Sequence, residues 1–318
     1  MKITTNKNWK SAKPFFTIVT PVFNRRDILP RAIESIKKQT FRDFEYIIVN
    51  DGSTENLDDI IVPFMDEADN PVMYIKKPNG GVHTARNAGI DEARGFLITW
   101  LDSDDEFVPK TLQTFKTIWD NIPADTVGEY YQISSRCRDV CGKAGFPFPD
   151  GINDLSLSKS YKVYHKRKSE NLVANRTSVM KDNKWPEPEG ITFVPENNIW
   201  LKLEKNYRTW FTNEILRIYH TEGTDHIFNS EKKKDVQYVR NSLWGFASQL
   251  NDWDLIEKLS VFFEDAFKYA VFRKVLKHFE SLPTDGRYDL KKPIVKIIVA
   301  ILCIPAWLVA RLYIKRKM

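Results

Sequence analysis

Apolar and β-favouring residues form four short runs in the first third of the chain. The runs are FFTIVTP (15–21), FEYIIV (44–49), VMYIKK (72–77) and FLITWLD (96–102). Short apolar runs that end in polar turns are typical of buried strands. We therefore predict four buried strands, and we expect Pro21 to end the first of them, because proline lacks the amide that a central strand donates.

Helical patterns lie between these runs. Apolar residues at i, i+3, i+4 and i+7 follow the first run, GGVHTARNAGIDEARG (80–95) is bounded by glycines, and a third pattern follows Pro109. Strand and helix therefore alternate from 15 to 122, which predicts a parallel α/β sheet with right-handed crossovers. Ligands of such sheets bind beyond the carboxyl ends of the strands. Polar side chains follow three of these ends, namely Asn24, Asp51, Asp102 and Asp104.

The pattern changes twice further along the chain. From 123 to 230, the short β-like pieces EYYQIS, KVYHK and TWFTNEILRIYH predict mixed strands with a long loop near 142–160. From 232, apolar spacings of three and four predict a packed helical pair. We therefore divide the chain into a loose N-terminus at 1–13, two halves of one domain at 14–122 and 123–230, a helical extension at 231–290 and a tail at 291–318.

The tail contains fourteen successive residues without a charge, IIVAILCIPAWLVA (297–310). A spanning helix needs about 20 apolar residues, and Pro305 would kink this one. Basic residues flank the segment, and Trp307 and Tyr313 are typical of membrane interfaces. The sequence therefore favours, over a full span, a helix through 293–318 that lies in the membrane surface or dips in and out of it, and the alternative is the last core helix of a soluble domain.

Charge and cysteine content limit the class of protein. From Lys291 onward there are seven Lys or Arg and no acid, and removing those seven from the net charge of +6 leaves the first 290 residues at about −1. A nucleic-acid partner is therefore not expected. Three cysteines make no disulfide framework, and the N-terminus has no apolar stretch of secretion-signal length. We expect a reduced compartment and no signal peptide.

The acidic turn DSDD (102–105) requires a reason, because packing supplies none. Residues two apart in a strand face the same way, so Asp102 and Asp104 would share a side if the strand continued that far. Carboxylate oxygens suit Mg²⁺ or Mn²⁺, and a cation bound there could bridge the protein and a diphosphate. The alternative is a solvated loop or a helix cap, since Pro109 opens a helix nearby.

Four segments in order, PVFN, VNDGS, ARNAG and LDSDD, resemble glycosyltransferase family 2. The resemblance is close over about 15–110 and looser to about 220. It implies an inverting enzyme that uses a nucleotide sugar and has the GT-A fold, an α/β fold with a Rossmann-like mixed sheet flanked by helices. The helical extension and the apolar tail with basic flanks would follow that domain.

The resemblance also assigns roles to residues of the donor site. Pro21 and Asn24 would border the nucleotide pocket, and Asp51 would bind the edge of a uracil ring. Arg86 and Asn87 would lie near the donor sugar and phosphate. Asp102 and Asp104 match the family's DxD motif, so the resemblance implies Asp102 toward ribose and metal, Asp104 on the metal, and Mn²⁺ or Mg²⁺ as cofactor. Asp105 would be a spare acid or a cap.

The catalytic base is where the sequence departs from the family pattern. The usual acidic pair is replaced by Glu196 and Asn197 in VPENNIWLKL, and Asn197 cannot accept a proton. We predict Glu196 as the base, and the alternative is a cap of the following helix. His220 occupies a position where some family members contact metal or diphosphate, and its alternative is a structural role.

The expected function is metal-dependent transfer of a sugar from a nucleotide sugar, expected to be a UDP-sugar, to a hydroxyl group of a saccharide or lipid-linked saccharide. The tail suggests surface polysaccharide or oligosaccharide assembly at the cytoplasmic face of a membrane. Two alternatives remain. One is a nucleotide-sugar-binding or scaffold protein that lost its base, and the other is a nucleotidyltransferase, which would form a diphosphate bond.

Overall fold

The structure is a computed structural model that describes residues 1–10, 13–149, 154–155, 170–203, 205–220, 235–252 and 259–315. The chain forms two compact units. The first contains Met1–Trp185 and Leu203–Thr221, and the second contains Pro186–Lys202 and Glu222–Met318. Residues 186–202 therefore belong with the helical part of the chain and not with 123–230, where the sequence analysis placed them.

A mixed sheet forms the centre of the first unit. Within the described residues its order is β1-β4-β3-β2-β5-β9-β7-β10-β6, and β8 also pairs with β10. Strands β2 to β5 are mutually parallel where they pair, whereas β9 is antiparallel to both β5 and β7. The strands are β1 (Lys2–Thr5), β2 (Phe16–Val22), β3 (Phe44–Asp51), β4 (Val72–Lys77), β5 (Leu97–Trp100), β6 (Glu106–Phe107), β7 (Tyr130–Asp139), β8 (Asp154–Leu155), β9 (Asn171–Arg176) and β10 (Arg208–Tyr219).

The four strands predicted from the apolar runs are β2 to β5. All residues of β2 and β3 are buried, which explains their continuous apolar character. Pro21 does not end β2, which continues to Val22. Strand β5 pairs with β2 only as far as Val19 and Trp100, so Pro21 lies where β2 pairs with β3 but no longer with β5.

The N-terminus is not loose as predicted. Residues Lys2–Thr5 form β1, which pairs antiparallel with β4 at the sheet edge. All four β1 residues are exposed, so no apolar pattern indicated a strand. Asn6 then anchors the segment, because its side-chain amide donates to the Asn70 carbonyl at 2.9 Å and its oxygen accepts from the Val72 amide.

Helices of the first unit connect successive strands. They are α1 (Leu29–Lys37), α2 (Asp58–Glu67), α3 (Val82–Glu92), α4 (Thr111–Asp120) and α5 (Thr177–Asp182). Helix α3 lies very close to β2, because a Cβ added to Gly89 would come within 2.5 Å of Val19 Cγ1. That close approach positions the N-terminal turns of α3 beside the strand ends that carry the candidate site.

Part of the predicted second half can be compared with the structure. EYYQIS lies within β7 and TWFTNEILRIYH lies within β10, which is parallel to β7. The KVYHK piece and nine of the nineteen residues of the predicted loop near 142–160 lie outside the described residues.

The described part of the second unit has an irregular segment up to Glu196 and is otherwise built mainly of helices. The short helix α6 (Asn197–Leu203) is followed by α7 (Val236–Asp252), α8 (Leu259–Phe279) and α9 (Pro293–Lys315). Helix α8 packs against both α7 and α9. The predicted helical pair corresponds to α7 and α8.

Candidate functional site

The carboxyl ends of β2, β3 and β5 meet at one edge of the sheet. Val22 lies beside Asn50 of β3, Val19 lies beside Trp100 of β5, and the Leu101 amide donates to the Val19 carbonyl at 3.1 Å. The segments that follow these strands therefore leave the sheet close together. They carry Asn24, Asp51 and the acidic turn 102–105, as the sequence predicts.

Asn24 links the turns after β2 and β3. It has φ 50°, a left-handed conformation that Asn tolerates better than most residues. Its side-chain oxygen accepts from the Thr54 amide at 2.8 Å, and its own amide donates to Ser53 Oγ at 3.0 Å. Asn24 therefore shapes the border of the edge, and its contact with a nucleotide stays a prediction.

The Asp51 carboxylate is buried and holds the start of α3. Its Oδ1 accepts from the Gly80 amide at 3.0 Å and its Oδ2 accepts from the Gly81 amide at 2.8 Å. Lys77 Nζ lies 2.6 Å from Oδ1. Both oxygens thus bind protein donors, and the predicted contact with uracil would need a remaining lone pair.

Gly52 is required immediately after Asp51. It has φ +77°, and an added Cβ would lie 2.5 Å from the Asn79 amide nitrogen. Any L side chain would be strained there and would push against the backbone that leads to Gly80. The NDG sequence therefore forms a tight turn that brings the β3 end against the N-terminus of α3.

Arg86 extends from α3 to the acidic turn. Its side chain is 8% exposed, and Nη2 lies 3.2 Å from Asp102 Oδ1. The guanidinium also lies 5.9 Å from the Trp100 ring centroid and 5.7 Å from that of Trp185. Arg86 is therefore a buried cation fixed between aromatic rings with its charge against the predicted metal-binding acid.

Asn87 pairs with backbone rather than facing open space. Its side-chain amide donates to the Trp185 carbonyl at 2.8 Å, and its oxygen accepts from the Trp185 amide at 2.9 Å. Trp185 is 2% exposed and packs edge-on against Trp100. Trp185 is therefore part of the packed core beside Arg86. The predicted contact of Asn87 with donor sugar or phosphate is not tested by this geometry.

Asp102 and Asp104 do not lie on a continuing strand. Strand β5 ends at Trp100, and residues 102–105 form a turn in which the Asp105 amide donates to the Asp102 carbonyl at 3.0 Å. The strand that would place both side chains on one face is therefore missing. Asp104 Oδ2 lies 3.9 Å from Arg25 Nη2, whereas Asp102 contacts Arg86 and Arg217.

Arg217, on β10, is the buried counterion of this turn. Its Nη1 lies 3.6 Å from Asp102 Oδ2 and 3.4 Å from Asp105 Oδ2, and its Nη2 lies 3.1 Å from Glu170 Oε2. Burial alone would raise the pKa of Asp102, but the cations of Arg86 and Arg217 together lower it. Asp102 is therefore held ionised.

The pKa of Asp105 is shifted in the opposite direction to that of Asp102. Burial raises the pKa of Asp105 to about 7, with Arg217 opposing the shift and the charges of Asp102 and Asp104 adding to it. Its Oδ1 accepts the His220 backbone amide at 3.1 Å. Asp105 thus ties the acidic turn to the end of β10, and the spare acid of the sequence analysis is a structural link.

His220 is the remaining predicted metal ligand. Its Nε2 lies 2.8 Å from Glu106 Oε1, and its buried Nδ1 has no hydrogen-bond partner within the described part of the chain. Carboxylate oxygens and an imidazole nitrogen are acceptable ligands for Mn²⁺. Among the described residues, however, no three His, Cys, Asp or Glu side chains are grouped so as to hold a metal ion. Phosphate oxygens or waters would therefore be needed to complete the shell of a cation bound here.

Glu196 belongs to the second unit, within the segment Pro186–Lys202. It directly precedes α6, and its carbonyl accepts the Ile199 amide at 3.0 Å and the Trp200 amide at 3.2 Å. Its backbone therefore starts the helix, while its side chain is exposed. The predicted role as a base is neither supported nor opposed by these contacts.

Sequence reasoning missed two residues of the edge. Arg217 lies in the apolar run EILRIYH, and a charged residue inside a predicted buried strand was the signal that could have found it. Phe23 follows β2 directly and is 45% exposed beside Asn24. A large exposed aromatic residue at the carboxyl end of a central strand is a natural platform for a planar ring.

The model for Glycosyl transferase family 2 matches residues 17–178, which is just over half of the chain. The chain belongs to glycosyl transferase family 2. The matched segment begins in β2 and ends in α5, so it contains every strand end described above except that of β10.

Curated relatives agree with this family. This chain is 34% identical to the glycosyltransferase GlyA of Streptococcus pneumoniae over 119 residues. The aligned segment covers 37% of this chain and 17% of GlyA. The chain is 24% identical over 222 residues to a GalNAc(5)-diNAcBac-PP-undecaprenol beta-1,3-glucosyltransferase of Campylobacter jejuni, with 67% of each chain covered. The chain thus spans about a sixth of GlyA and two thirds of the Campylobacter protein.

Solved structures show the same fold. TarS 1-349 of S. aureus has a TM-score of 0.58 at 19% identity, covering 93% of this chain and 78% of that one. The mannosyltransferase PcManGT from Pyrobaculum calidifontis, in complex with GDP-Man and Mn²⁺, has a TM-score of 0.54 at 15% identity, covering 96% and 90%. At these identities the likeness establishes the GT-A fold of this glycosyltransferase and nothing about its substrates.

Proposed function

We propose that this glycosyltransferase moves a sugar from a UDP-sugar to a hydroxyl group of a saccharide or lipid-linked saccharide, with inversion and with Mn²⁺ or Mg²⁺. The observation that carries the proposal is Asp102, an ionised and 38% exposed carboxylate fixed by Arg86 and Arg217 where three strands end. Strand ends of this kind are where α/β sheets bind ligands. A lone diphosphate would be repelled by the acidic turn unless cations accompany it.

Arg86 is the protein cation suited to the leaving group. As the sugar leaves, negative charge grows on the diphosphate, and a buried guanidinium stabilises such charge more strongly than it would in water. Arg86 is already fixed against two Trp rings, so little reorganisation is needed. A divalent ion held by Asp102 and Asp104 would supply Lewis-acid stabilisation of the same leaving group.

The nucleotide would lie toward Asn24 and Asp51. Phe23 offers an exposed ring for the base, while the Asn24 turn and the buried Asp51 fix the shape of this end. Support for uridine comes from TarS, whose solved complexes contain UDP and UDP-GlcNAc. The PcManGT complex contains GDP-Man, so a guanosine donor is the first competitor to test.

We assign the general base to Glu196. A base must take the proton of the acceptor hydroxyl as it attacks the face of the sugar opposite the diphosphate. Glu196 offers an exposed carboxylate at the beginning of a helix, whereas the neighbouring Asn197 cannot accept a proton. His220 is proposed as a further metal contact through its buried Nδ1.

The proposed acceptor and location follow from the relatives and the tail. The Campylobacter relative is named for an undecaprenol diphosphate oligosaccharide, and a Bacillus subtilis relative is named for minor teichoic acid biosynthesis. One described helix, Pro293–Leu312, has the length and apolar composition to cross a membrane. We therefore propose surface polysaccharide or oligosaccharide assembly at the cytoplasmic face of a membrane.

Nucleotide release from a panel of donors tests the proposal. The protein is incubated with Mn²⁺ and UDP- or GDP-sugars, with and without a membrane lipid extract, and free nucleotide and the anomeric configuration of the product are measured. We expect a UDP-sugar to be consumed with inversion, and Glu196→Gln to lower turnover by roughly a hundredfold or more. Glu187→Gln, another exposed carboxylate of the second unit, is the control.

Three outcomes would contradict the proposal. Binding of a UDP-sugar without turnover in any acceptor mixture would favour the scaffold protein, for which the Asn197 substitution is the motivating observation. Formation of a new diphosphate bond would favour a nucleotidyltransferase. Full activity of Glu196→Gln would remove the assigned base.

A further inference from the structure

Helix α9 has three distinct sides. Val295, Val299, Ala306 and Ala310 are buried, and their spacing of four, seven and four places them on one stripe of the helix. Helix α8 packs against α9. One side of the helix is therefore occupied by the protein itself.

The side facing away from this stripe is apolar and exposed. It carries four aliphatic residues between 57% and 79% exposed at helical spacing and no charge. Such a continuous apolar face on a soluble surface normally marks an interaction site. Its members are Ile297, Ile301, Ile304 and Leu308.

A basic flank borders the exposed apolar face. By helical spacing Lys296, Trp307 and Arg311 lie between that face and the buried stripe. The Arg311 guanidinium lies 4.4 Å from the Trp307 ring centroid, so the two side chains form one cationic and aromatic edge. Arg and Trp paired beside an apolar face are typical of helices that lie at a lipid headgroup layer.

The positive charge of the C-terminal segment favours an anionic partner. From Lys291 to the C-terminus there are seven Lys or Arg and no acid. Pairing of two copies along this face would bring like charges together, because no acid in the segment could compensate them. An anionic lipid surface gains free energy from each of these cations.

The packing of α9 against α8 indicates whether α9 lies in the membrane surface or crosses the bilayer. Helix α8 carries Glu264, Lys268, Arg273, Lys274 and Lys277, and the Lys268 and Glu264 side chains form an ion pair. If α9 crossed the bilayer in this arrangement, α8 would be drawn into the hydrocarbon with these charges, at high cost. A helix lying in the surface plane keeps α8 on the aqueous side.

We propose that α9 binds in the plane of an anionic lipid surface, with its Ile face among the acyl chains and Lys296 and Arg311 at the headgroups. This inference rests on the proposed membrane location and is independent of the transfer chemistry. Helix α9 is long enough to span a bilayer, but it has only one side free to contact lipid. Binding in the plane of the surface is therefore the mode that we assign to it.

Vesicle flotation of the full chain tests the lipid selectivity. We expect co-flotation with vesicles of phosphatidylcholine and phosphatidylglycerol, and at least about tenfold weaker binding to pure phosphatidylcholine. Ile301→Glu with Ile304→Glu should also weaken binding at least about tenfold. Val62→Glu, at an exposed aliphatic residue of α2, is the matched control and should float as the unmodified chain does.

Depth measurement tests the orientation. Nitroxide labels are placed at Ile297→Cys, Ile304→Cys and Leu312→Cys in a background lacking the native cysteines. An in-plane helix predicts similar shallow depths, about 5–10 Å, for all three. A spanning helix would place 304 near the midplane and the other two near opposite surfaces, which would overturn the proposal.

Two further results would also overturn it. Equal binding to neutral and anionic vesicles would remove the charge argument, and lipid-free self-association lost in Ile301→Glu would assign the face to a second copy. UDP binding measured on the same variants separates the two proposals. If UDP binding is intact while flotation fails, only the membrane mode is wrong, and if flotation succeeds without UDP binding, only the donor site is wrong.

Discussion

Asp102 is the residue on which the donor site depends, and its surroundings explain its charge. Arg86 contacts Oδ1 from α3, and Arg217 contacts Oδ2 from β10. The first arginine lies in a sequence motif, whereas the second is brought in by a strand more than a hundred residues further along. The motif residues could thus be predicted from sequence, but the partner that completes their charge balance depends on the order of strands in the sheet.

Replacement of Arg217 by Met should destabilise the first unit. The change leaves the buried Asp105 and the neighbouring Asp102 without their shared cation, and removal of one partner from a buried ion pair costs about 3 kcal/mol or more. Chemical unfolding of the full chain measures the loss. Arg208→Met, on the same strand but paired with the exposed Glu129, should cost less than about 1 kcal/mol.

A second residue-scale prediction concerns Asp265 of α8. Burial raises its pKa to about 7, with Lys268 opposing and Glu264 adding to the shift. Because the folded pKa lies above the unfolded one, folding takes up a proton between about pH 4 and 7, so stability falls as pH rises through that range and then stays low. Asp265→Asn should therefore stabilise the protein at pH 8 by roughly 2–4 kcal/mol and much less near pH 4.

Thermal unfolding of Asp265→Asn at several pH values tests whether the stabilisation increases with pH as predicted. The gain in melting temperature should grow from pH 4 to 7 and remain level above it. Glu264→Gln, next to it in the same helix but exposed, should show little pH-dependent gain. A gain that is larger at pH 4 than at pH 8 would contradict the assignment of a buried, protonated Asp265.

At the scale of elements, β2 to β5 and helices α1, α3 and α4 follow from periodicity, because their apolar patterns are local. Helix α2 was not predicted, since Pro63 lies inside it and the aspartates at its start interrupt the apolar pattern. Strand β9 is antiparallel between β5 and β7, and no local signal states where a strand inserts into a sheet. No local signal indicates β1 either, because all of its residues are exposed.

The approach of α3 to β2 gives an element-scale prediction. Gly89→Ala would bring a Cβ within 2.5 Å of Val19 Cγ1 and 3.0 Å of Cγ2, so helix or strand must shift. Such overpacking costs about 1–3 kcal/mol. Gly128→Ala is the matched control, because its added Cβ meets no atom within 4 Å.

Chemical unfolding of both alanine variants, together with UDP binding, measures this effect. We expect Gly89→Ala to lower stability and to weaken UDP binding, because α3 carries Arg86 and begins at the glycines that Asp51 holds. Gly128→Ala should match the unmodified chain in both measurements. Unchanged stability of Gly89→Ala would show that α3 has room to move away from β2.

For the whole molecule, the family and the fold class were predictable from sequence, and the division into units was not. The change to helical spacing near 232 is visible in the sequence, but the assignment of 186–202 to the helical unit depends on tertiary packing. The predicted base Glu196 falls in that segment.

We propose above all that the acids after β5 bind a divalent cation together with a nucleotide diphosphate. Electron paramagnetic resonance of Mn²⁺, titrated with protein in the presence and absence of UDP, measures this most directly. We predict that UDP promotes Mn²⁺ binding, that Asp102→Asn and Asp104→Asn each weaken it roughly tenfold or more, and that the exposed-loop control Asp125→Asn does not. Mn²⁺ binding that is independent of UDP, or undiminished in both acid variants, would contradict the account.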